Sequence, residues 1–129
     1  MATLTAGITL SSTDITNDSA SVASDTLSVS LSDQLSVLGN CYSYVFATST
    51  TSAVFLTNTR HSASYVLLHN QSTTTAETIK IELSSGSNDF MEIGAGEFAF
   101  FPWNAANDIR FDAAQGTPAL EVRLYQKLA

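Results

Sequence analysis

The 129-residue sequence is poor in cysteine and in charge, and each shortage excludes a class of protein. Its single cysteine, Cys41, cannot form an intramolecular disulfide, so the chain is not a small disulfide-stapled scaffold. Only 13% of the residues are charged, and five Lys and Arg stand against twelve Asp and Glu, for a net charge of −7. The five cations are scattered singly along the chain, whereas nucleic-acid binding needs them clustered. We therefore expect no nucleic-acid partner.

Long apolar runs are also missing. No segment approaches the ~20 apolar residues that a membrane-spanning helix needs, and the scarcity of cations disfavours binding to anionic lipid. Residues 1–10 contain neither the basic region nor the apolar region of a secretory signal. We expect no membrane partner and synthesis in a reducing cytoplasm.

Hydroxyl side chains are abundant instead, because 18 serines and 16 threonines make up about a quarter of the chain. The hydrophobic fraction of 44% is nevertheless too high for a disordered chain. The length is typical of one domain that buries a core of its own. Residues 1–25 differ from the rest, since Ile8 and Leu10 are among their few apolar anchors. We expect a flexible or docking N-terminal arm over 1–25 and a single β-sandwich domain over 26–129.

Apolar and polar residues alternate with period two along most of the chain. This alternation places successive side chains on opposite faces of a strand and is typical of antiparallel sheets with one wet face. Turn signals separate the segments, mostly at intervals that suit a sandwich or barrel. Gly39-Asn40 is predicted as a turn, and residues 94–97 as a hairpin turn whose two glycines adopt positive φ. The predicted fold is all-β: an antiparallel β-sandwich or jelly-roll-like barrel of about eight short strands.

Four segments are apolar on both faces, at 42–46, 53–56, 65–68 and 98–101. They are either central strands or strands whose outer face meets another subunit. In the stretch 98–103, we expect Phe98 and Phe100 to face the core and Phe101 and Trp103 to face the opposite side. Exposed aromatic residues anchor protein interfaces or stack on sugars, although this pair can also pack under a neighbouring loop. The candidate protein-interface residues are Phe101, Trp103, Tyr125, Ile8 and Leu10.

The sequence has no motif that carries chemistry. Cys41, His61 and His69 do not match a nucleophile signature or a metal-ligand spacing, and there is no nucleophile elbow. A hydrolase that uses Cys41 or a serine with one of the histidines is the weakest alternative. We expect no catalytic site, no cofactor and no metal.

Aspartates are the only charged residues in the N-terminal third. Asp14, Asp18, Asp25 and Asp33 do not match a calcium loop, and we interpret them as solvated surface. A weak calcium site between loops or subunits is the alternative.

Three segments of the second half of the chain share a recognisable style. Residues 65–83 read as strand, polar turn and strand; residues 90–103 read as strand, Gly-x-Gly-Glu turn and aromatic strand; residues 113–125 contain Gly-Thr-Pro before a last strand. Together these segments resemble small all-β virion proteins of tailed bacteriophages, which occur as capsid decoration (cement) proteins and as minor head or tail components. The resemblance covers residues 65–126, and the hydroxyl-rich N-terminal half matches in composition only. The family has no catalytic residues.

The resemblance implies a structural protein of the virion, made in the host cytoplasm. It implies a capsid decoration protein that binds the major capsid protein and stabilises the shell. It also implies a homo-oligomer, with a trimer as the first expectation, in line with the symmetric closure general to homo-oligomers. A phage tail or fibre component is the alternative within this class, and a carbohydrate-binding β-sandwich module is the alternative outside it.

Overall fold

The computed structural model describes residues 2–15, 25–83 and 89–128, which contain nine β-strands and no helix. None of these residues belongs to a helix that could cross a membrane. The strands are β1 (Ala2–Ile15), β2 (Asp25–Ala47), β3 (Ala53–Leu56), β4 (Ser64–Asn70), β5 (Ile79–Leu83), β6 (Asp89–Ile93), β7 (Phe98–Trp103), β8 (Ile109–Ala113) and β9 (Ala119–Lys127).

The strands form two antiparallel sheets, which confirms the predicted fold class. The five-stranded sheet has the order β1-β2-β9-β4-β7, and the four-stranded sheet has the order β3-β8-β5-β6. From β2 onward, the chain changes sheet at every connection except the one between β5 and β6. Eight strands arranged in this way as two four-stranded sheets are a jelly roll. β1 is then an additional strand at the edge of the larger sheet.

The core lies between the inner faces of the two sheets. In β4, buried and half-buried residues alternate strictly, as expected for a strand with one face on the core. An aromatic cluster closes one side, where the Phe55 ring centroid lies 5.7 Å from Phe46 and 5.6 Å from Phe111. The buried core residues are Phe55, Leu56, Val66, Leu68, Ile79, Ile81, Ile93, Trp103, Ile109, Phe111, Leu120, Val122 and Leu124.

The turn predicted at Gly39-Asn40 is wrong, because β2 runs without interruption from Asp25 to Ala47. The register against β9 shifts between Val37 and Cys41, so these residues form a β-bulge. Gly39 has a φ of +94°, which is the left-handed conformation that favours glycine in a bulge. A Gly-Asn pair serves a turn and a bulge equally well, and only the pairing of β2 with β9 distinguishes them.

Residues 94–97 form a tight turn, but not the predicted hairpin. They join β6 of the four-stranded sheet to β7 of the five-stranded sheet. The Glu97 amide donates to the Gly94 carbonyl at 3.0 Å, and the Glu97 carboxylate accepts the Gly94 amide at 2.6 Å. Only Gly96 has positive φ, at +77°. The expectation for Gly94 is therefore also wrong.

The first half of β2 pairs with β1 in a long two-stranded ribbon. Residues 2–12 of β1 are in register with residues 27–37 of β2, and Val37 is the first residue of β2 that pairs with β9. Among the described residues, 25–35 have no strand partner other than β1. We call residues 2–15 and 25–35 the β1–β2 ribbon. Of the predicted N-terminal arm 1–25, residues 2–15 thus form a strand, and residues 16–24 lie outside the described part of the chain.

A fully buried asparagine ties the two sheets together at one end of the sandwich. Asn70 ends β4, and its side-chain amide donates to the carbonyls of Glu77 at 2.8 Å and Ile93 at 3.2 Å. Its side-chain oxygen accepts the Ser72 amide at 3.0 Å. Its backbone exchanges two further hydrogen bonds with the turn before β7, at Gly96 and Glu97. The connection between β4 and β5 and the end of β6 are therefore held by one residue.

Replacing Asn70 by alanine is expected to lower the free energy of unfolding by about 2–4 kcal/mol, because two buried carbonyls and one amide lose their partner. The matched control is Gln71→Ala, whose exposed amide bonds only to Glu121 on the surface. That change should stay within about 0.5 kcal/mol. Urea unfolding of the three proteins measures both values, and equal losses in the two variants would contradict the role given to Asn70.

Candidate interaction surface

The outer face of the five-stranded sheet is apolar where β4 and β7 lie side by side. Leu67 is in register with Phe100, and Tyr65 is in register with Pro102. The Tyr65 and Phe100 rings are nearly parallel, at an interplanar angle of 13°, with centroids 6.2 Å apart. The four-stranded sheet packs on the opposite side, so neither sheet of the described residues covers these side chains. Two of the segments that are apolar on both faces are therefore neighbours in one sheet.

The β1–β2 ribbon borders this apolar face and turns it into a groove. One wall consists of residues 4–8 of β1 together with Leu35 of β2, and the volume between the walls is about 900 Å³. We call this site the outer groove. Its remaining lining residues are Tyr65, Leu67, Phe98, Phe100, Pro102 and Tyr125.

The outer groove leaves large apolar side chains in water. Phe98, at the start of β7, is 70% exposed, and Ile8, on the opposite wall, is 50% exposed. Scattered exposed apolar residues are common on protein surfaces, but a contiguous concave set of them marks an interaction site. The outer groove is therefore the candidate functional site of this chain.

The predicted faces of β7 are reversed. Trp103 is only 5% exposed and lies in the core, where its indole N–H donates to the Asn107 carbonyl at 3.1 Å. Phe101 packs against the core on the same side, with its ring 6.1 Å from Phe90 in an edge-to-face arrangement. Phe98 and Phe100, which were expected in the core, line the outer groove instead. Neither Trp103 nor Phe101 therefore presents its ring on this outer face.

The alternation of β7 contained a signal that favours the observed faces. Pro102 shares a face with Phe98 and Phe100, and prolines are mostly exposed, whereas tryptophan is largely buried on average. An assignment that places Pro102 on the buried face of β7 and the only tryptophan on the exposed face is therefore the less favourable of the two possible assignments.

The structure brings two of the five predicted interface residues together. Ile8 and Tyr125 both line the outer groove. Leu10 is in register with Val29 in the β1–β2 ribbon, and its side chain lies outside the described part of the structure. The prediction missed Tyr65, Leu67 and Leu35. These residues lie together because of the strand order of the sheet, and that order cannot be read from the sequence.

Charged side chains flank the outer groove on β9. The Lys127 ammonium lies 5.0 Å from the centroid of the Tyr65 ring, in a cation–π arrangement. Arg123 pairs with Glu121 at 2.8 Å, and its hydrogen bond to that carboxylate raises the pKa of the Arg123 guanidinium. Among the described residues, no carboxylate lies within 4.0 Å of Lys127. Within the described part of the chain, Lys127 therefore has no acidic partner beside the groove.

The residues weighed for chemistry do not meet in one place. Cys41 is exposed and in register with Tyr125, His61 lies with its ring 5.0 Å from Tyr42, and His69 is in register with Glu121. Within the described ranges, no hydroxyl or thiol is hydrogen-bonded to either imidazole, and no group of three metal-ligating side chains occurs. Of the four aspartates, Asp18 lies outside these ranges, as do the side chains of Asp14, Asp25 and Asp33.

Comparison of the chain with protein-family models, with curated proteins and with solved structures finds no match.

The only tryptophan is expected to report a buried environment. Trp103 fluorescence should have a blue-shifted emission maximum and should be quenched weakly by iodide in the native protein, because the indole is buried and hydrogen-bonded. Unfolding in urea provides the exposed reference for the same residue. Iodide quenching as strong in the native protein as in the unfolded protein would contradict the reversed faces of β7.

A dependence of stability on pH is expected from His61. Partial burial, together with the neighbouring Arg60 guanidinium, lowers the pKa of His61 below its ordinary value of 6.5. The unfolded chain therefore takes up the proton more readily, so this contribution to stability is present above pH 6.5 and is lost as the pH falls through the lower folded-state pKa.

The melting temperature of the native protein should accordingly fall more between about pH 7.5 and about pH 5.5 than that of His61→Gln. Comparing each protein with itself at the two pH values removes the effect of the lost contact with Tyr42. An equal fall in both proteins would contradict the assignment.

Proposed function

We propose that this chain is a structural protein of a tailed-bacteriophage virion, a capsid decoration protein that assembles with copies of itself and docks on the major capsid protein. The observation that carries the proposal is the outer groove, an apolar concave surface on a sheet face that the core does not use. The resemblance of residues 65–126 to small phage virion proteins supplies the setting.

The chemistry of the outer groove suits a protein partner. Aromatic residues are enriched and charged residues are depleted in the buried centres of interfaces, and four of the groove residues are aromatic: Tyr65, Phe98, Phe100 and Tyr125. Covering a side chain such as Phe98 contributes ~1.5–3 kcal/mol in each copy, and a shell repeats that contribution over many copies. The protein would act as a clamp that adds interface energy between capsomers.

The remaining surface supports the same role. Threonine and serine on strand faces give β-propensity and cross-strand hydrogen bonds without charge repulsion between closely packed copies. A net charge of −7 keeps the subunit away from the DNA that is packaged during assembly. The jelly roll serves in viral capsid domains, although the same fold also serves in lectins, so the fold alone carries no function.

Two other functions follow from the sequence. A tail or fibre component of the virion would use the same apolar face against a different neighbour. A carbohydrate-binding module would have stacked a sugar on the exposed rings of Phe101 and Trp103. Trp103 is buried, so this pair does not offer two exposed rings to a sugar. The decoration protein is therefore the function that we put forward.

Co-sedimentation with heads of the encoding phage that lack the protein tests the proposal. The purified full chain is expected to pellet with undecorated heads to a saturating, fixed number of copies for each capsomer. Heads that already carry the protein are the matched control and should take up none. Binding to isolated tails instead of heads would replace the decoration role by the tail role, and binding to neither would overturn the virion assignment.

A further inference from the structure

The strand β7 is an edge of the five-stranded sheet, and among the described residues β4 is its only strand partner. We propose that this edge pairs with the β7 edge of a second copy, antiparallel and about a two-fold axis at Phe100, so that the larger sheets of two copies join into one. The inference deepens the proposed function and rests on its self-assembly, since it names the contact between copies. It replaces the trimer that the resemblance implies by a two-fold dimer, and it concerns the protein in solution without a shell.

The hydrogen bonds at the end of β4 show which of its residues face which neighbour. The Gln71 amide donates to the Ala119 carbonyl at 2.9 Å, on the side of β9. The Asn70 amide donates to the Glu97 carbonyl at 3.0 Å, on the side of β7. Successive residues of an antiparallel strand bond to opposite sides, and the register of β4 shifts against neither neighbour. The even-numbered residues of β4 therefore carry the bonds to β7.

The same alternation identifies the free backbone groups of β7. In the register of the pair, residues 99, 101 and 103 lie opposite even-numbered residues of β4 and bond to them. The residues whose backbone groups point to the open edge are Phe98, Phe100 and Pro102. Pro102 has no N–H, and a sheet tolerates proline where the nitrogen faces outward, which agrees with this assignment. Each copy thus offers two N–H donors and three carbonyl acceptors along this edge.

The β7 edge lacks the charged side chains that usually keep sheet edges apart. Residues 98–103 contain no charged residue, whereas β6, an edge of the other sheet, carries Asp89 and Glu92. The remaining edge of that sheet, β3, is only four residues long. An exposed apolar edge without charge is a template for pairing with another chain. Each copy has a net charge of −7, so two copies repel each other least where no carboxylate lies.

Two copies of this edge are complementary when Phe100 lies opposite its equivalent. The two Phe100 residues then exchange two hydrogen bonds, and each Phe98 N–H donates to the Pro102 carbonyl of the other copy. All outward N–H groups of both strands are thereby bonded. Only the Phe98 carbonyls lack a donor, because proline supplies none, and an unpaired carbonyl is more readily tolerated than an unpaired N–H. An axis one residue earlier or later brings the turn at 94–97 or residues after β7 into the pairing.

This register also matches apolar side chains across the axis. Cross-strand partners share one face of an antiparallel pair, so Phe100 packs against its equivalent and Phe98 against Pro102 of the other copy. All of these side chains line the outer groove, and Phe98, which is 70% exposed in one copy, is partly covered in the pair. The floors of two outer grooves then form one continuous apolar surface on a joined sheet.

The oligomeric state of the full chain tests the inference. Light scattering coupled to size exclusion is expected to show a dimer that dissociates on dilution. Phe98→Lys places a charge on the edge and should weaken dimerisation about tenfold to a hundredfold. Val45→Lys is the matched control, because Val45 is 50% exposed on β2, three strands away from the edge, and this change should leave dimerisation unchanged.

Two variants at one position separate backbone pairing from contact between side chains. Phe100→Pro and Phe100→Ala both remove the ring, but only the proline removes the N–H at the centre of the pair in both copies. Phe100→Pro should therefore dimerise about tenfold more weakly than Phe100→Ala. Equal dimerisation of the two variants would contradict pairing through the backbone.

Disulfide trapping tests the register and stays valid if a proline or lysine variant does not fold. In a Cys41→Ser background, Phe100→Cys should give a disulfide-linked dimer on oxidation in air, because hydrogen-bonded partners of an antiparallel pair have Cα atoms about 5.5 Å apart. Phe98→Cys is the matched control and should stay unlinked. Its equivalent in the other copy lies four residues away along the strand, about 13 Å, which a disulfide cannot span.

A monomer at all concentrations, a trimer, or a dimer that Phe98→Cys links and Phe100→Cys does not would overturn the inference. The same holds for a dimer that slows hydrogen exchange in β1, the other edge of the sheet and uncharged over residues 2–13, and not at Phe98 and Phe100.

Binding to phage heads separates this inference from the proposed function. A monomer that still saturates undecorated heads would overturn the pairing of edges alone and leave the decoration role standing. A dimer linked through Phe100→Cys whose unmodified parent binds neither heads nor tails would leave the pairing standing and overturn the virion assignment.

Discussion

A β-strand has two faces, and in a sandwich the opposite sheet covers only one of them. Several strands of this protein meet that constraint with a polar outer face, but four segments are apolar on both faces, and two of them, in β4 and β7, lie next to each other in the five-stranded sheet. The inner faces of these two strands supply Val66, Leu68 and Trp103 to the core. Their outer faces supply the floor of the outer groove, and every functional inference about this chain depends on that second apolar surface.

The frame holds this surface in a fixed shape. Asn70 joins the end of β4 to the end of β6 and to the turn before β7, so the strands that form the groove floor are anchored to the other sheet at the same point. The bulge at Gly39 lies between Val37, which pairs with both β1 and β9, and the part of β2 from Cys41 onward, which pairs with β9. A floor anchored at Asn70 and a wall formed by the chain's own β1 give a pre-formed site, which reduces the entropy that an incoming partner has to lose.

Period-two alternation predicted most of the strands, because burial on one face is a local property of the sequence. The prediction failed where the outcome depends on which strands are neighbours. Gly39-Asn40 reads as a turn until β9 is known to pair on both sides of it, and residues 94–97 read as a hairpin until β6 and β7 are assigned to different sheets. The outer groove could be predicted only in part, as Ile8 and Tyr125, since its other residues meet through the strand order 9-4-7. The faces of β7 were predicted in reverse, because each face carries two aromatic residues and their number does not show which face is buried.

Hydrogen exchange at increasing protein concentration tests most directly whether the outer face of the five-stranded sheet is an assembly surface. Amides of β7 should exchange more slowly as the concentration rises, because assembly with further copies covers the outer groove. Amides of β5 and β8 in the other sheet should keep the same protection throughout and serve as the internal reference. Protection of β7 that does not change with concentration would contradict the account.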